Sequence, residues 1–297
     1  MKNRRHHERA WPTGQVCAIT GGAQGLGWAL TKTLAEHGAI VHACDLSDQH
    51  LATAQDMLRT RSWADRVRLT HYDVTSLSDM QDWLTGIYQA NGGPHVLVNN
   101  AMFTRWADTE QMSVTEAEKT MRTAFDAMVY TVTTTLPLLR AAGRGHIINI
   151  GSSVGHAYVR GPSAAYAAGK AAIEAYTRML AIELADSPVH VMLVRPGVIS
   201  GTDFHRHHVP PDRMPRIADL LPASTPHQAA LAILHGIQRR RRIVDVPPYV
   251  SAAIKAFDLM PSLVTKLSLI GGNARHDFGD TRRASQTRAS TTPGRPK

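Results

Sequence analysis

Residues 16–27, with the sequence VCAITGGAQGLG, decide the fold of this 297-residue chain. The apolar run over 16–20 predicts a buried strand, and residues 26–37 have a helical pattern that stops at a glycine. Glycines between a strand and a helix let the backbone approach a diphosphate, and the helix N-terminus supplies free N–H groups. The turn residues predicted to contact a nucleotide are Gly21, Gln24, Gly25, Leu26 and Gly27.

An acidic residue follows this turn at the end of a second predicted strand, residues 39–44. Asp45 lies 18 residues after Gly27. A carboxylate at this position accepts hydrogen bonds from ribose hydroxyls and repels a 2′-phosphate. Gln24 is neutral, whereas a site for a 2′-phosphate would benefit from Arg or Lys. We therefore expect Asp45 and the adjacent Leu46 to contact the cofactor, and the pattern favours NAD over NADP.

Strand-like and helix-like segments alternate from about residue 14 to residue 246. This alternation predicts βαβ units and thus a doubly wound, Rossmann-type α/β three-layer sandwich with a central parallel sheet. The further predicted strands are 67–72, 94–98, 146–150, 189–194 and 243–246, and the further long helices are 47–59, 115–142, 163–185 and 225–239. The predicted domain organisation is a basic N-terminal tail (1–12), an NAD-binding catalytic domain (13–250), an apolar C-terminal extension (251–270) and a disordered basic tail (271–297).

The composition excludes several classes of protein. Apolar residues make up 43% of the chain and charged residues 19%, which is incompatible with global disorder. No apolar run reaches the roughly 18 residues of a membrane-spanning helix, and the N-terminus lacks the apolar core of a secretory signal. Cys17 and Cys44 lie in apolar strand-like runs and are predicted to be reduced, buried thiols. A cytoplasmic location is the expectation.

The net charge of +9 lies mainly at the two ends of the chain. Residues 1–14 carry four Lys or Arg and one Glu, and residues 271–297 carry six Lys or Arg and two Asp. The body between them is nearly neutral, so no basic surface is predicted there. We therefore expect a small-molecule substrate and no nucleic-acid partner.

Tyr166 and Lys170 are four residues apart on a predicted helix and share one face. An ammonium group near a phenol lowers the phenol's pKa, which would make Tyr166 a general base near neutral pH. The pair follows NIGSS at residues 149–153, at the end of the fifth predicted strand.

Together with DV at 73–74, NNA at 99–101 and PG at 196–197, these motifs resemble the short-chain dehydrogenase/reductase family over about residues 13–250. The resemblance implies that Tyr166 is the catalytic acid/base and that Lys170 lowers its pKa and binds the nicotinamide ribose. It also implies a serine that orients the substrate oxygen. Ser152 fits the spacing from Asn149 and Ser153 the spacing to Tyr166; Ser152 is favoured, and both are expected to contact substrate. The other implied cofactor contacts are Asp73, Val74, Asn99, Ala101, Pro196, Gly197, Val198 and Ile199.

Two residues depart from the family pattern. Met102 stands where a glycine is common, and Ala124 where many members have an asparagine that holds a proton-relay water. The expected activity is interconversion of a secondary alcohol and a ketone on a hydrophobic small molecule. A catalytically weak nucleotide-sensing or scaffold protein is the alternative, and epimerisation or internal redox is a third, less favoured one.

The predicted substrate loops are 102–106, 156–159 with Tyr158, and 198–222. The histidines at 205, 207 and 208 have no accompanying carboxylate or cysteine at ligand spacing, so no metal site is predicted. The apolar residues of 254–270 leave two interpretations open, packing on the substrate lid or on a partner subunit. Membrane-surface attachment is the weaker option, because Lys255 and Lys266 are the basic residues of that segment. The resemblance implies a homodimer or homotetramer formed through the helices at 115–142 and 163–185.

Overall fold

The computed structural model describes residues 11–202, 209–210, 213 and 221–270. Seven parallel strands form one sheet in the order β3-β2-β1-β4-β5-β6-β7. The strands are β1 (Val16–Thr20), β2 (Ile40–Asp45), β3 (Val67–His71), β4 (Val96–Asn99), β5 (Gly145–Ile150), β6 (Val189–Pro196) and β7 (Ile243–Val246). The predicted Rossmann-type fold is confirmed.

Strand order reverses at β1, which pairs with β2 on one side and with β4 on the other. Cys17 is in register with Val41 of β2 and with Val96 of β4. In a parallel sheet, the connections that leave such a reversal go in opposite directions and open a crevice at the carboxyl ends of the strands. The glycine turn after β1 therefore lies beside the expected ligand crevice.

Helices cover both faces of the sheet. They are α1 (Gly25–Glu36), α2 (Asp48–Leu58), α3 (Leu77–Asn91), α4 (Val114–Met121), α5 (Ala127–Ala141), α6 (Ala164–Glu183), α7 (Pro226–Gln238), α8 (Tyr249–Leu259) and α9 (Pro261–Leu269). Local sequence fixes several starts: Ser113 and Thr225 form capping boxes, and the Ser163 side chain accepts a hydrogen bond from the Tyr166 amide.

The apolar core has one cluster on each face of the sheet. Leu34 of α1 and Ile233 of α7 pack on one face. Met128 of α5 and Ile173 of α6 pack on the other. Truncating such a buried side chain to alanine costs about 2–5 kcal/mol of stability, so the two clusters hold the sheet rigid beneath the crevice.

The helix predicted over 115–142 is interrupted by a π-helical turn at Arg122–Asp126 that joins α4 to α5. This turn contains Ala124, which is buried. An inserted residue rotates the helix beyond it, and π turns occur often at functional sites. The π turn here brings Ala124 against α6, the helix that carries Tyr166 and Lys170.

The ends of the folded part differ from the sequence-based boundaries. Trp11 and Pro12, assigned above to the N-terminal tail, pack on the body: Pro12 is buried and the Trp11 ring lies 5.9 Å from that of His146. The apolar extension is helical and begins inside the predicted catalytic domain, because α8 starts at Tyr249. Residues 1–10 and the predicted tail 271–297 lie outside the described residues. Among the residues that are described, no helix is both long and apolar enough to cross a membrane.

Candidate active site

The glycine turn after β1 needs glycine for two different reasons. Gly21 and Gly25 have φ of +61° and +53°, a region that side chains rarely adopt. A Cβ on Gly27 would lie 1.9 Å from the carbonyl oxygen of Gly21, so the first turn of α1 packs directly on the loop. The α1 N-terminus is held against the turn with its free N–H groups available to an anion.

A cavity of about 600 Å³ extends from this turn along the carboxyl ends of the strands. It brings together residues that are far apart in sequence, from the glycine turn to the loop after β6. The predicted cofactor and catalytic residues that line it are Gly21, Gln24, Gly25, Leu26, Ala101, Ser152, Ser153, Tyr166, Lys170, Pro196, Gly197, Val198 and Ile199.

The other predicted cofactor residues, Gly27, Asp45, Leu46, Asp73, Val74 and Asn99, do not line this cavity. Asp45 is buried at the end of β2, where Oδ2 accepts a hydrogen bond from the Ala23 amide (3.3 Å) and Oδ1 from the Ser47 amide (3.2 Å). Its carboxylate therefore braces the glycine turn, and it retains lone pairs for further donors. Leu46 beside it is exposed.

Asp73 and Asn99 hydrogen-bond to other protein groups at the carboxyl ends of the strands. Asp73 Oδ1 accepts hydrogen bonds from the amide and hydroxyl of Thr75, both at 2.8 Å. The Asn99 side chain donates to Asn149 Oδ1 (2.8 Å) and accepts from the Thr131 hydroxyl (2.6 Å). Asn99 thus ties β4 to β5 and α5. In the described structure these two side chains act on protein groups.

Tyr166 lies in the first turn of α6, and the cap at Ser163 fixes its position. Its phenol is buried and hydrogen-bonded to Ser152, and the Trp106 ring packs on it with 6.0 Å between centroids. Ser152 Oγ also accepts from the Val154 amide at 3.2 Å. The structure therefore places Ser152 directly beside the phenol that sequence reasoning selected.

The pKa of Tyr166 departs from the sequence-based expectation. Burial raises it to about 12, and the hydrogen bond from Ser152 only partly offsets this. Lys170 Nζ lies 5.8 Å from the Tyr166 ring centroid and donates to the Ile150 carbonyl oxygen at 2.8 Å. The pKa of the phenol is thus raised, whereas the sequence-based expectation was a lowering by Lys170, because burial of the phenol is the largest influence on it.

Lys170 is itself buried, and desolvation lowers its pKa to about 8. The amino group thus changes charge near pH 8 rather than near its usual 10.5. Its partner Ile150 belongs to β5, so the sheet fixes the position of Nζ beneath Tyr166.

Tyr158, predicted to contact substrate, does not line the cavity. Its side chain is 54% exposed, and its ring packs edge-on against Phe257 with centroids 5.9 Å apart. The structure instead places its neighbours Ala157, Val159 and Arg160 at the cavity wall. The loop after β5 therefore contributes to the site through residues other than the expected aromatic one.

The two departures from the family pattern meet at one point. A Cβ on Gly169 would lie 3.0 Å from the Ala124 Cβ and 3.7 Å from the Met102 methyl carbon. The Met121 sulfur would lie 3.8 Å from the same position. A close helix contact and two thioether side chains therefore fill the volume beside Gly169.

The C-terminal helices form a wall of the site, and none of their residues was among the predicted site residues. Tyr249, Val250, Ala253 and Ile254 of α8 line the cavity, and so do Val264 and Ser268 of α9. The apolar pattern of residues 254–270 was the available signal, but it does not specify which surface the segment covers. The structure places part of this segment at the cavity, as the first of the two interpretations left open above expects.

An ionic network attaches α8 to the loop after β5. His156 Nδ1 lies 2.9 Å from Glu174 of α6, and its Nε2 lies 2.7 Å from Asp258 of α8. Burial pushes the pKa of His156 down, but hydrogen bonds to Asp258 and Glu174 outweigh it and raise the pKa. The His156 ring thus bridges the two acids. Within the ranges that the structure covers, no cluster of His, Cys, Asp or Glu could hold a metal; His205, His207 and His208 fall outside those ranges.

Comparisons with known proteins agree with this geometry. A family model for short chain dehydrogenases matches residues 15–212. A tropinone reductase homolog of Datura stramonium is 31% identical over 195 residues, which are 65% of this chain and 72% of that protein. A 3-alpha-(or 20-beta)-hydroxysteroid dehydrogenase of Mycobacterium tuberculosis is 31% identical over 189 residues, 63% of this chain and 69% of that protein.

Two solved structures have the same fold. One is a short chain dehydrogenase/reductase from Burkholderia phymatum in complex with NAD, with a TM-score of 0.73 and 22% identity over 85% of this chain and 96% of that chain. The other is an RhlG/NADP complex from Pseudomonas aeruginosa, with a TM-score of 0.68 and 22% identity over 81% of this chain and 97% of that chain.

Proposed function

Because the chain belongs to the short-chain dehydrogenase/reductase family, we propose that it is an NAD-dependent oxidoreductase that interconverts a secondary alcohol and a ketone on a hydrophobic small molecule. The observation that carries the proposal is the contact between Tyr166 and Ser152 in the cavity, with Lys170 on the next turn of α6. A binding protein has no need of this hydroxyl pair above a buried amine.

Each residue has a separate task in the proposed reaction. The nicotinamide cofactor supplies or accepts the hydride when it is bound. Tyr166 keeps its proton at neutral pH, because its pKa is about 12, and it donates that proton to the carbonyl oxygen of a ketone. Ser152 orients the same oxygen by a hydrogen bond. Lys170 holds positive charge beneath the phenol below a pH of about 8. Alcohol oxidation uses the same groups in reverse.

The preference for NAD rests on Asp45. Its buried carboxylate lies at the end of β2, 3.3 Å from the Ala23 amide of the glycine turn. A ribose 2′-hydroxyl can donate to this carboxylate, whereas a 2′-phosphate would bring like charges together. The fold relatives bind NAD in one complex and NADP in the other, so calorimetric titration of both cofactors is the test. Tighter binding of NADP would contradict the assignment to Asp45.

The hydrophobic substrate is proposed from the walls of the cavity beyond Tyr166. Trp106, Val159, Ile254 and Val264 supply aromatic and aliphatic surface there. The names of the tropinone reductase homolog and the hydroxysteroid dehydrogenase support carbonyl and hydroxyl chemistry on a ring compound. A panel of cyclic ketones and secondary alcohols, followed by NADH absorbance, is the appropriate screen.

The Tyr166→Phe variant tests the role of the phenol. General acid–base catalysis supplies about 10²–10⁴-fold, so turnover should fall by that order. NAD affinity should be nearly unchanged, because the ring still packs on Trp106. Tyr176→Phe, on the same helix and packed against Phe125, is the matched control and should keep turnover within a few-fold. Equal activity of Tyr166→Phe and wild type would remove Tyr166 as the acid/base.

Ala124 favours a second candidate, a nucleotide-sensing or scaffold protein with weak catalysis. Its methyl group packs against α6. Many family members have a relay asparagine at the position of Ala124. NAD binding with no turnover across the whole panel would favour this candidate over the enzyme.

The assembly and location are also proposals. A homodimer or homotetramer is supported by exposed Met179 and Ile182 on α6, and light scattering would test it. A small-molecule substrate, no nucleic-acid partner and a cytoplasmic location complete the proposal, and fractionation of cells would test the location.

A further inference from the structure

The outer surface of the C-terminal helices carries an uncovered apolar face. We define this C-terminal apolar face as Leu259, Met260, Leu263, Leu267, Leu269 and Ile270, all of which are exposed. Leu259 is 81% exposed and Ile270 is 66% exposed. Large groups of exposed apolar side chains on a globular protein mark binding surfaces.

Sequence spacing places three of these residues on one side of α9 and its C-cap. Leu263, Leu267 and Ile270 follow the i, i+4, i+7 pattern of one helix face. Val264 and Ser268, on another side of the same helix, line the cavity. The helix therefore has one side on the candidate active site and an apolar side without a partner among the described residues.

Basic residues accompany this face in the sequence. Lys255 of α8 and Lys266 of α9 are exposed. Residues 271–297, which follow Ile270 directly, carry six Lys or Arg and two Asp. Apolar residues flanked by basic ones are the pattern of a helix that lies in the headgroup region of a membrane with anionic lipids.

We propose that the C-terminal apolar face binds the surface of an anionic lipid bilayer. The two helices are too short to span it, at eleven and nine residues, so they lie in the interface. Met260-Pro261 joins the two helices and belongs, through Met260, to the proposed contact surface. The lysine stems extend their ammonium groups to the lipid phosphates.

A basic sequence following the apolar helices distinguishes a bilayer from a second copy of the chain. Two copies that paired through this face would bring two such positive segments together, which costs free energy. An anionic surface neutralises both the lysines and the segment. Charge complementarity therefore selects the lipid.

If the proposed function holds, membrane binding through α9 would bring the cavity close to substrates dissolved in the bilayer. The helix that contacts the bilayer is also a wall of the cavity. An apolar substrate dissolved in the membrane would then be at the protein surface nearest Tyr166. The binding experiment below needs no substrate, so its failure is distinguishable from failure of the proposed function.

Flotation of the full chain with vesicles tests the proposal. Vesicles of phosphatidylcholine with about 30% phosphatidylglycerol should carry the protein upward, and vesicles of phosphatidylcholine alone should carry at least about tenfold less. Salt at about 0.5 M should release a large share of the bound protein, since it screens the lysine–phosphate attraction. Absence of flotation with anionic vesicles, or equal flotation with neutral ones, would overturn the proposal.

The double variant Leu263→Gln/Leu267→Gln tests the face itself. Both side chains are exposed, so folding and NAD binding should be unchanged, while vesicle binding should fall at least about tenfold. Val114→Gln, at a residue 74% exposed at the start of α4, is the matched control and should bind vesicles like wild type. Undiminished binding by the double variant would overturn the proposal. The proposal would also be overturned if the wild type bound no vesicles and the double variant lost its oligomers in light scattering. That result would assign the face to contact with a second copy of the chain.

Discussion

The buried amine of Lys170 should make the stability of this protein rise with pH in a way that Lys170→Met removes. Its pKa falls from 10.5 to about 8 on folding, because burial desolvates the ammonium. Between these two values the folded protein has released the proton and the unfolded chain still holds it. The unfolded state then binds more protons, so the free energy of unfolding increases with pH.

The magnitude follows from the two pKa values. One pKa unit corresponds to about 1.36 kcal/mol. Between about pH 7 and about pH 9.5, Lys170 should contribute an increase of about 2 kcal/mol in the free energy of unfolding. Tyr166 does not cancel this increase, because its pKa is raised and its effect begins only above its unfolded value of 10.

Urea unfolding of wild type and Lys170→Met at both pH values measures this contribution. Met keeps the length of the stem, and the lost hydrogen bond to the Ile150 carbonyl is a cost that does not vary with pH. Contributions of other groups cancel in the difference between the two proteins. A difference that does not change with pH would refute the reasoning, since it would mean that the ammonium of Lys170 is hydrated in the folded state.

Two further perturbations test the turn and the base of the sheet. Gly27→Ala places a Cβ 1.9 Å from the Gly21 carbonyl oxygen and should abolish NAD binding in calorimetry. Gly86→Ala, in open space on α3, should instead raise the free energy of unfolding by about 0.5–1 kcal/mol. Normal NAD affinity of Gly27→Ala would contradict the packing argument. Burial lowers the pKa of His146 to about 3 and that of His190 to about 4, so both rings stay neutral in the folded state. The protein should therefore lose stability as the pH falls below about 6.5, by up to about 1.4 kcal/mol per pH unit for each histidine. Thermal unfolding of His146→Leu/His190→Leu should lack this acid slope, and an unchanged slope would assign it to other groups.

Local sequence was sufficient to predict the sheet. Most strands are short runs rich in apolar residues, and the β1 prediction, residues 16–20, matches the structure. The helix over 115–142 was predicted as continuous, because a π turn changes hydrogen bonding without changing the apolar pattern enough to be seen. The packing of Trp11 on the body depends on its contact with His146, which is far away in sequence.

The candidate site was predictable where motif spacing fixes the position and unpredictable where packing does. Tyr166 and Ser152 lie together because a strand end and a helix cap hold them. The pKa of Tyr166 depends on how completely the fold removes water, and no spacing reveals that. The orientation of Tyr158 depends on Phe257, which belongs to a helix that the sequence did not place.

The meeting of Met102, Ala124 and Gly169 constrains the order in which this site can change. A relay asparagine at position 124 would have to enter a space already closed by a helix contact and a thioether. Residues in such direct contact have non-additive effects on stability. Shortening Met102 first should make the asparagine tolerable, whereas the reverse order passes through an overpacked intermediate. An engineer who restores the relay asparagine should therefore shorten the methionine first.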